Sequence, residues 1–248
     1  MMTSPYVLTL DLRVLDHLGI NLYSNAAAVL SEAVANAWDA DAPLVKVDID
    51  PMQITIEDDG IGMTLTQINE RFLSVGYDKR AEEGEVSAGG RRFMGRKGLG
   101  KLALFSIADE IEVHTRASSE QHAFKMKTSE VRKAITAQKS YYPEPIEFNG
   151  PQKGTRILLR ALKKKRTAAS VSALRKRIAR RFSVIGWKGA RGDHFNVQIN
   201  GKSVGPEDRE DLRALEFLWE FGEQRLQASE CPNVSKRFVV ADQVHSEH

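Results

Sequence analysis

The chain has 248 residues, enough for one substantial domain or one domain with an extension. Its 42% hydrophobic and 28% charged residues suit a folded soluble protein, and no apolar run approaches the roughly 20 residues needed to cross a bilayer. A single cysteine, Cys231, excludes an intramolecular disulfide and most cysteine-based metal sites, and the first residues lack the basic-then-apolar pattern of a secretory signal, so a reducing cytoplasm is the expected setting.

The net charge of +3 hides an asymmetry. Residues 1–59 carry ten acids and two bases, whereas residues 160–191 carry twelve bases and no acid. The basic block is either a solvated face or a surface for phosphates or nucleic acid.

In chain order, residues 22–40 read as a helix, because Leu22, Ala26, Val29, Leu30, Ala33 and Ala37 recur at spacings of three and four. Val45 to Ile49 alternates as a half-buried strand does. Ile54 and Ile56 mark a second strand, ending in the acidic turn Glu57-Asp58-Asp59-Gly60. Thr64 is placed to cap a helix carrying Leu65, Ile68, Phe72 and Leu73. Residues 76–97 are charged and Gly-rich without apolar period, the character of a lid with little to hold it when empty. A buried helix is expected from Gly98 to Ala108, then strands at 111–116, 121–127 and 155–160. Residues 171–185 form an amphipathic pattern. Val171, Leu174, Ile178, Phe182 and Ile185 lie on one side, and Arg175, Lys176, Arg177, Arg180 and Arg181 are expected to face outward. Phe195 to Ile199 followed by Asn200-Gly201 signals a hairpin. From about residue 206 the pattern weakens, giving a division into 1–205 and a 206–248 extension or start of a further domain.

Three clusters carry chemistry. Glu32, Asn36 and Asp39 lie within roughly 60° of one another on the first helix, a polar stripe beside its apolar face. Buried polar groups need partners, and either water or a bound magnesium nucleotide would supply them. Asp58-Asp59-Gly60-Ile61-Gly62-Met63 follows a strand. There glycines permit a sharp turn and close approach of a ligand, and a fixed carboxylate can accept a hydrogen bond from an exocyclic amine. Gly95-Arg96-Lys97-Gly98-Leu99-Gly100-Lys101 opens a helix whose free N–H groups and dipole favour an anion, with Lys97 and Lys101 adding charge. Gly95 to Lys101 also fits the P-loop letters GxxxxGK. That reading is rejected, because Leu102 replaces the magnesium-binding hydroxyl and no buried strand precedes.

Taken together, Glu32-Ala-Val-Ala-Asn36-Ala-Trp-Asp39, Asp58-Asp-Gly60-Ile-Gly62, Gly95-Arg-Lys-Gly98-Leu-Gly100 and Gly154-Thr155 resemble the four motifs of the GHKL (Bergerat-fold) ATPase superfamily, over residues 20–160. That superfamily includes gyrase B-type subunits, heat-shock chaperones, mismatch-repair ATPases, MORC-type ATPases and histidine kinases. The resemblance implies an α+β two-layer sandwich, with a mixed, mainly antiparallel sheet, helices on one face and the nucleotide between. It implies ATP and magnesium as ligands, Glu32 as the general base and Asn36 as the magnesium ligand. Asp58 becomes the adenine-reading carboxylate, with Gly60, Gly62 and Met63 in its turn, and Asp39 and Thr155 stand near the base. Gly95, Lys97, Gly98, Leu99, Gly100 and Lys101 become the phosphate-holding hinge.

The family's histidine kinases lack the hydrolytic Glu and carry a phospho-accepting His on a preceding helix. Glu32 is present and His17 stands alone, which disfavours a kinase. Gyrase-type members also use a Lys from a following domain, which has no identifiable counterpart here. The expected activity is therefore Mg-dependent ATP hydrolysis, coupled to lid closure and to homodimerisation or a partner protein, with no membrane role. The alternatives are an ATP sensor with little hydrolysis, and a nucleic-acid-binding module through 160–191. In that block only Phe182 and Trp187 offer interleaved aromatics for base stacking.

Overall fold

Period-two alternation and period-3.6 stripes sort this chain into two layers. The structure is a computed structural model that describes residues 4–7, 26–74, 84–95, 103–137, 139–163, 168–182, 184–185, 194–221 and 226–240. Its central sheet has eight strands: β1 (Leu44–Ile49), β2 (Gln53–Asp58), β3 (Ala108–Arg116), β4 (Gln121–Lys127), β5 (Glu144–Pro145), β6 (Gly154–Leu162), β7 (Asn196–Ile199) and β8 (Lys202–Ser203). They are ordered β5-β4-β3-β6-β2-β1-β7-β8, and every pairing is antiparallel except β1 with β7. This is the mixed, mainly antiparallel sheet of the expected α+β class.

Helix α1 (Ala26–Asp39) packs its Val29, Leu30, Ala33 and Ala37 into the core with Val45, Val47, Ile54, Ile56, Ile111, Val113 and Leu159. Burying the Val, Leu and Ile side chains contributes about 1.5–3 kcal/mol each, and each alanine less. Thr64 caps helix α2 (Leu65–Gln67) in a full capping box with Gln67. The chain then departs from the expected α-helix into a π turn, Ile68–Phe72, closed by Leu73 N–H donating to the Ile68 carbonyl at 2.7 Å. A five-residue turn aligns residues five apart, and Ile68 and Leu73 are both fully buried.

The helix expected to run to Ala108 is corrected at its described end. Leu104–Ser106 is a single 3-10 turn and Ala108 already begins β3, because Ala108, Ile111 and Val113 belong to the sheet core. An unforeseen helix, α3 (Thr128–Thr136), follows β4.

Helix α4 (Ala168–Arg181) packs beside α1, with Leu174, Ile178 and Phe182 buried. Phe182 lies 5.5 Å from Phe195 in the core, so it is not available for base stacking; Trp187 lies outside the described residues. The expectation that five bases of α4 face outward is also corrected. Arg175 makes a two-pronged pair with Asp208 at 2.8 and 2.7 Å and donates to the Lys202 and Ser203 carbonyls. Lys176 pairs with Glu210 and Arg181 with Glu32, while Arg177 and Arg180 are exposed. Acids at 208 and 210 supply the counter-charge that the basic block itself lacks.

Beyond β8 come the 3-10 turn Pro206–Asp208, helix α5 (Glu210–Arg213) and a separate parallel pair, β9 (Phe217–Phe221) with β10 (Lys236–Val240). Leu212, Leu218 and Cys231 form a small cluster of their own there.

Arg175 and Asp208 are only 17% and 15% exposed, so breaking the pair strands a carboxylate. Arg175→Ala should cost about 3 kcal/mol, read as a lowered urea midpoint. The exposed Arg177→Ala should stay within about 0.5 kcal/mol of the parent.

Candidate functional site

The C-terminal half of α1 is the hub of the site, and its three polar residues have different environments. Asn36 is exposed, Glu32 is half-buried and Asp39 is 4% exposed. Asp39 accepts hydrogen bonds from the Met94 N–H at 2.8 Å and the Gly95 N–H at 3.0 Å. Its partners thus include the hinge amides. A carboxylate sealed from water takes the nearest N–H donors, and these are the hinge amides. A Cβ on Gly95 would stand 2.9 Å from Asp39 Oδ2 and 4.0 Å from Asn36 Oδ1. Glycine thus lets the hinge lie on the helix, directly beside the Asn36 amide.

Of the expected lid, residues 84–95 make specific polar and stacking contacts, and 76–83, 96 and 97 lie outside the described residues. Asp41 accepts from the Ser87 hydroxyl at 2.5 Å and the Gly89 N–H at 2.9 Å. Arg91 donates to the Ala42 and His194 carbonyls and lies 4.5 Å from the Trp38 ring centre, while the Trp38 indole N–H donates to the Arg92 carbonyl at 2.9 Å. These anchors are polar and stacking contacts, which leave no apolar period in the sequence. Lys97, Gly98, Leu99, Gly100 and Lys101 lie outside the described residues.

The 58–63 turn meets the same end of α1. Ile61 N–H donates to the Ala40 carbonyl at 3.0 Å, and Asp59 accepts from the Leu44 N–H at 2.8 Å, fixing the start of β1. At Gly62 and Gly154 the missing side chain makes room for the chain's own backbone. Gly62 has φ +67°, and a Cβ there would fall 2.1 Å from the Arg116 carbonyl oxygen. Gly154 has φ +92°, and a Cβ there would fall 2.1 Å from the Asp58 carbonyl oxygen.

That close approach sets a polar row across three strands. Asp58 pairs with Thr155, and Thr155 with Thr115. The two threonine hydroxyls are 3.0 Å apart, and Thr115 Oγ1 also accepts from the Met63 N–H at 2.9 Å. Thr115 is fully buried and was missed in the sequence. Its signal was a hydroxyl on the apolar phase of the alternation Ile111, Val113, Thr115.

Asp58 accepts from the Gly60 N–H at 2.9 Å. Its pKa is nevertheless pushed up to about 7. Burial is the chief cause, opposed by hydrogen bonds from the Gly60 and Thr155 backbone and reinforced by the Asp59 and Glu57 charges. On the other side of the hub, Glu32 Oε1 accepts from Arg181 Nη1 at 2.6 Å, and the same nitrogen donates to Ser31 Oγ at 2.9 Å.

A raised carboxylate pKa means that the fold favours the protonated form. The stabilisation from Asp58 is fully present below its unfolded value of 3.8 and is lost as pH rises through about 7. Asp58→Asn removes this linkage. Its stability relative to the parent should therefore improve steadily from about pH 4 to about pH 8, measured by denaturant midpoints at each pH. A pH-independent difference would count against the strained carboxylate.

Residues 23–155 match the family described as histidine kinase-, DNA gyrase B- and HSP90-like ATPase. The chain is 37% identical over 225 residues to the putative type II restriction enzyme HgiDII of Herpetosiphon aurantiacus, an alignment covering 90% of this chain and 36% of that protein. It is 27% identical over 176 residues to the chaperone protein HtpG of Mycobacterium avium, covering 59% of this chain and 26% of that one. It is 33% identical over 138 residues to the HtpG of Idiomarina loihiensis, covering 46% and 22%. The chain spans 36% or less of the length of these relatives. The family match extends over more than half of the 248 residues: the chain belongs to the histidine kinase-, DNA gyrase B- and HSP90-like ATPases.

Proposed function

We propose that this chain binds ATP with magnesium and hydrolyses it, between the α1 stripe and the Asp58–Thr155–Thr115 row. The observation that carries the reading is the convergence on one helix end. Asn36 stands beside hinge residue Gly95, and the Asp58 turn rests on Ala40 four residues later.

In this reading Asp58, once ionised, accepts the adenine amino group. The Met63 amide and the two threonine hydroxyls hold the floor beneath it. Among the described residues no group of three or more His, Cys, Asp or Glu is placed to hold a metal alone. Magnesium would need few protein ligands at such a site. Asn36, with an exposed amide, would hold the magnesium, which would supply charge neutralisation at the phosphates. Glu32, one turn earlier, orients water toward the terminal phosphate and takes its proton. Gly95, Lys97, Gly98, Leu99, Gly100 and Lys101 supply the phosphate-holding hinge; as the water oxygen bonds to the terminal phosphorus, the bond from that phosphorus to the ADP oxygen breaks, and ADP and inorganic phosphate leave as products.

An ATP-binding sensor with little turnover is a second reading, favoured by the ion pair that already engages Glu32. We assign 1–205 to the nucleotide unit and 206–248 to an extension, and ATP-driven pairing with a second copy or a partner protein to the larger chain. The similarity to a protein named a putative type II restriction enzyme supports a DNA-associated assembly, and we propose a cytoplasmic setting for it. Contact through 160–191 is left to its exposed bases, since Arg175, Lys176 and Arg181 are engaged by acids of the chain.

Calorimetric titration with a non-hydrolysable ATP analogue should give binding that strengthens with magnesium; no heat in either case overturns the assignment. Glu32→Ala should keep that binding and lose hydrolysis by about 10²–10⁴-fold, and equal turnover would remove Glu32 as the base. Because adenine recognition needs the charged acceptor, analogue affinity should rise as pH rises through about 7. Asp58→Asn should bind weakly and show no such rise.

A further inference from the structure

We infer that Arg181 is the positioning residue for the hydrolytic carboxylate of Glu32, which makes the chemical step depend on α4. The inference rests on the ATPase reading above. Arg181 closes α4 and lies outside the family-matched stretch 23–155, so nothing in that match assigns it.

The geometry is specific. One guanidinium nitrogen, Nη1, uses its two hydrogens on two acceptors of α1, Glu32 Oε1 at 2.6 Å and Ser31 Oγ at 2.9 Å. Ser31 is fully buried, so its hydroxyl is a fixed reference point, and the guanidinium lies 5.7 Å from the buried Phe182 ring centre. The pair itself is about a quarter exposed on each side. Among the described residues Glu32 Oε2 has no hydrogen-bond partner, so the arginine holds one oxygen and leaves the other for a water. A carboxylate on three rotatable bonds cannot hold a water in line with a phosphate without such a second contact.

The arginine is itself fixed through its helix. Leu174, Ile178 and Phe182 bury the apolar side of α4, and Arg175 ties it to Asp208 and to the β8 carbonyls. The position of the hydrolytic carboxylate is therefore set from the segment that follows the motif-bearing core. Ion pairing across half-exposed surfaces stabilises little by itself. The consequence of this one is orientation rather than stability.

The test is a double-mutant cycle on steady-state hydrolysis, with parent, Arg181→Ala, Glu32→Gln and the double variant at saturating magnesium-ATP, plus Arg181→Lys. Arg181→Ala should lower kcat about 10- to 100-fold while the Kd for a non-hydrolysable analogue stays within about twofold. In the Glu32→Gln background, Arg181→Ala should have no further effect, and Arg181→Lys should recover part of the rate. Parent-level or faster turnover in Arg181→Ala overturns the inference, and faster turnover would make the ion pair a restraint on the base. Equal losses in both backgrounds also overturn it, since they mark a general packing effect. If parent and Glu32→Gln hydrolyse alike, the base assignment fails on that comparison alone, and the role of Arg181 falls with it.

Discussion

Asp39 is a carboxylate shut away from water at the end of a core helix, and its charge must be met by donors the chain supplies. The Met94 and Gly95 amides meet it, so a distant segment is pinned onto α1. Asn36 gains its neighbour Gly95 from that contact, and the Ser87–Asp41 and Arg91–Trp38 contacts extend it along the hinge. One buried charge thereby links the helix that carries the candidate chemistry to the loop that would hold phosphates.

The opposite flank is organised by a different constraint. The β2–β6–β3 register sets Asp58, Thr155 and Thr115 side by side, and the approach of Gly154 to the Asp58 carbonyl leaves no room for a side chain. The cost is a carboxylate that the fold would rather keep protonated. Functional groups often hold a state that is unfavourable for the empty fold, because the ligand is the missing partner.

Between these flanks, α4 distributes a block of positive charge among acids that lie far away in sequence. Asp208 and Glu210 take Arg175 and Lys176, and Glu32 takes Arg181. Three bases of a face that reads as a solvated or nucleic-acid surface are thus engaged by acids of the chain itself. Salt bridges of this kind set geometry more than they add stability.

The sequence by itself determined the local elements and the identity of the motifs. The stripe Val29, Leu30, Ala33 and Ala37, the alternation Val45–Ile49, the Thr64 cap and the Asn200-Gly201 turn are each set within a few residues, and each formed as expected. The order of Glu32, Asn36, Asp58, Gly95 and Thr155 was enough to recognise the family. Only the tertiary structure decided that Asp39 holds the hinge, that Thr115 joins Thr155, that Gly62 and Gly154 make room for backbone, and that Arg181 reaches Glu32. It also decided the π turn at Ile68–Phe72, where burying two side chains five apart outweighed α-helical spacing. These partners lie between 40 and 149 residues apart, and strand register and buried-charge pairing act across such separations without leaving any local period to read.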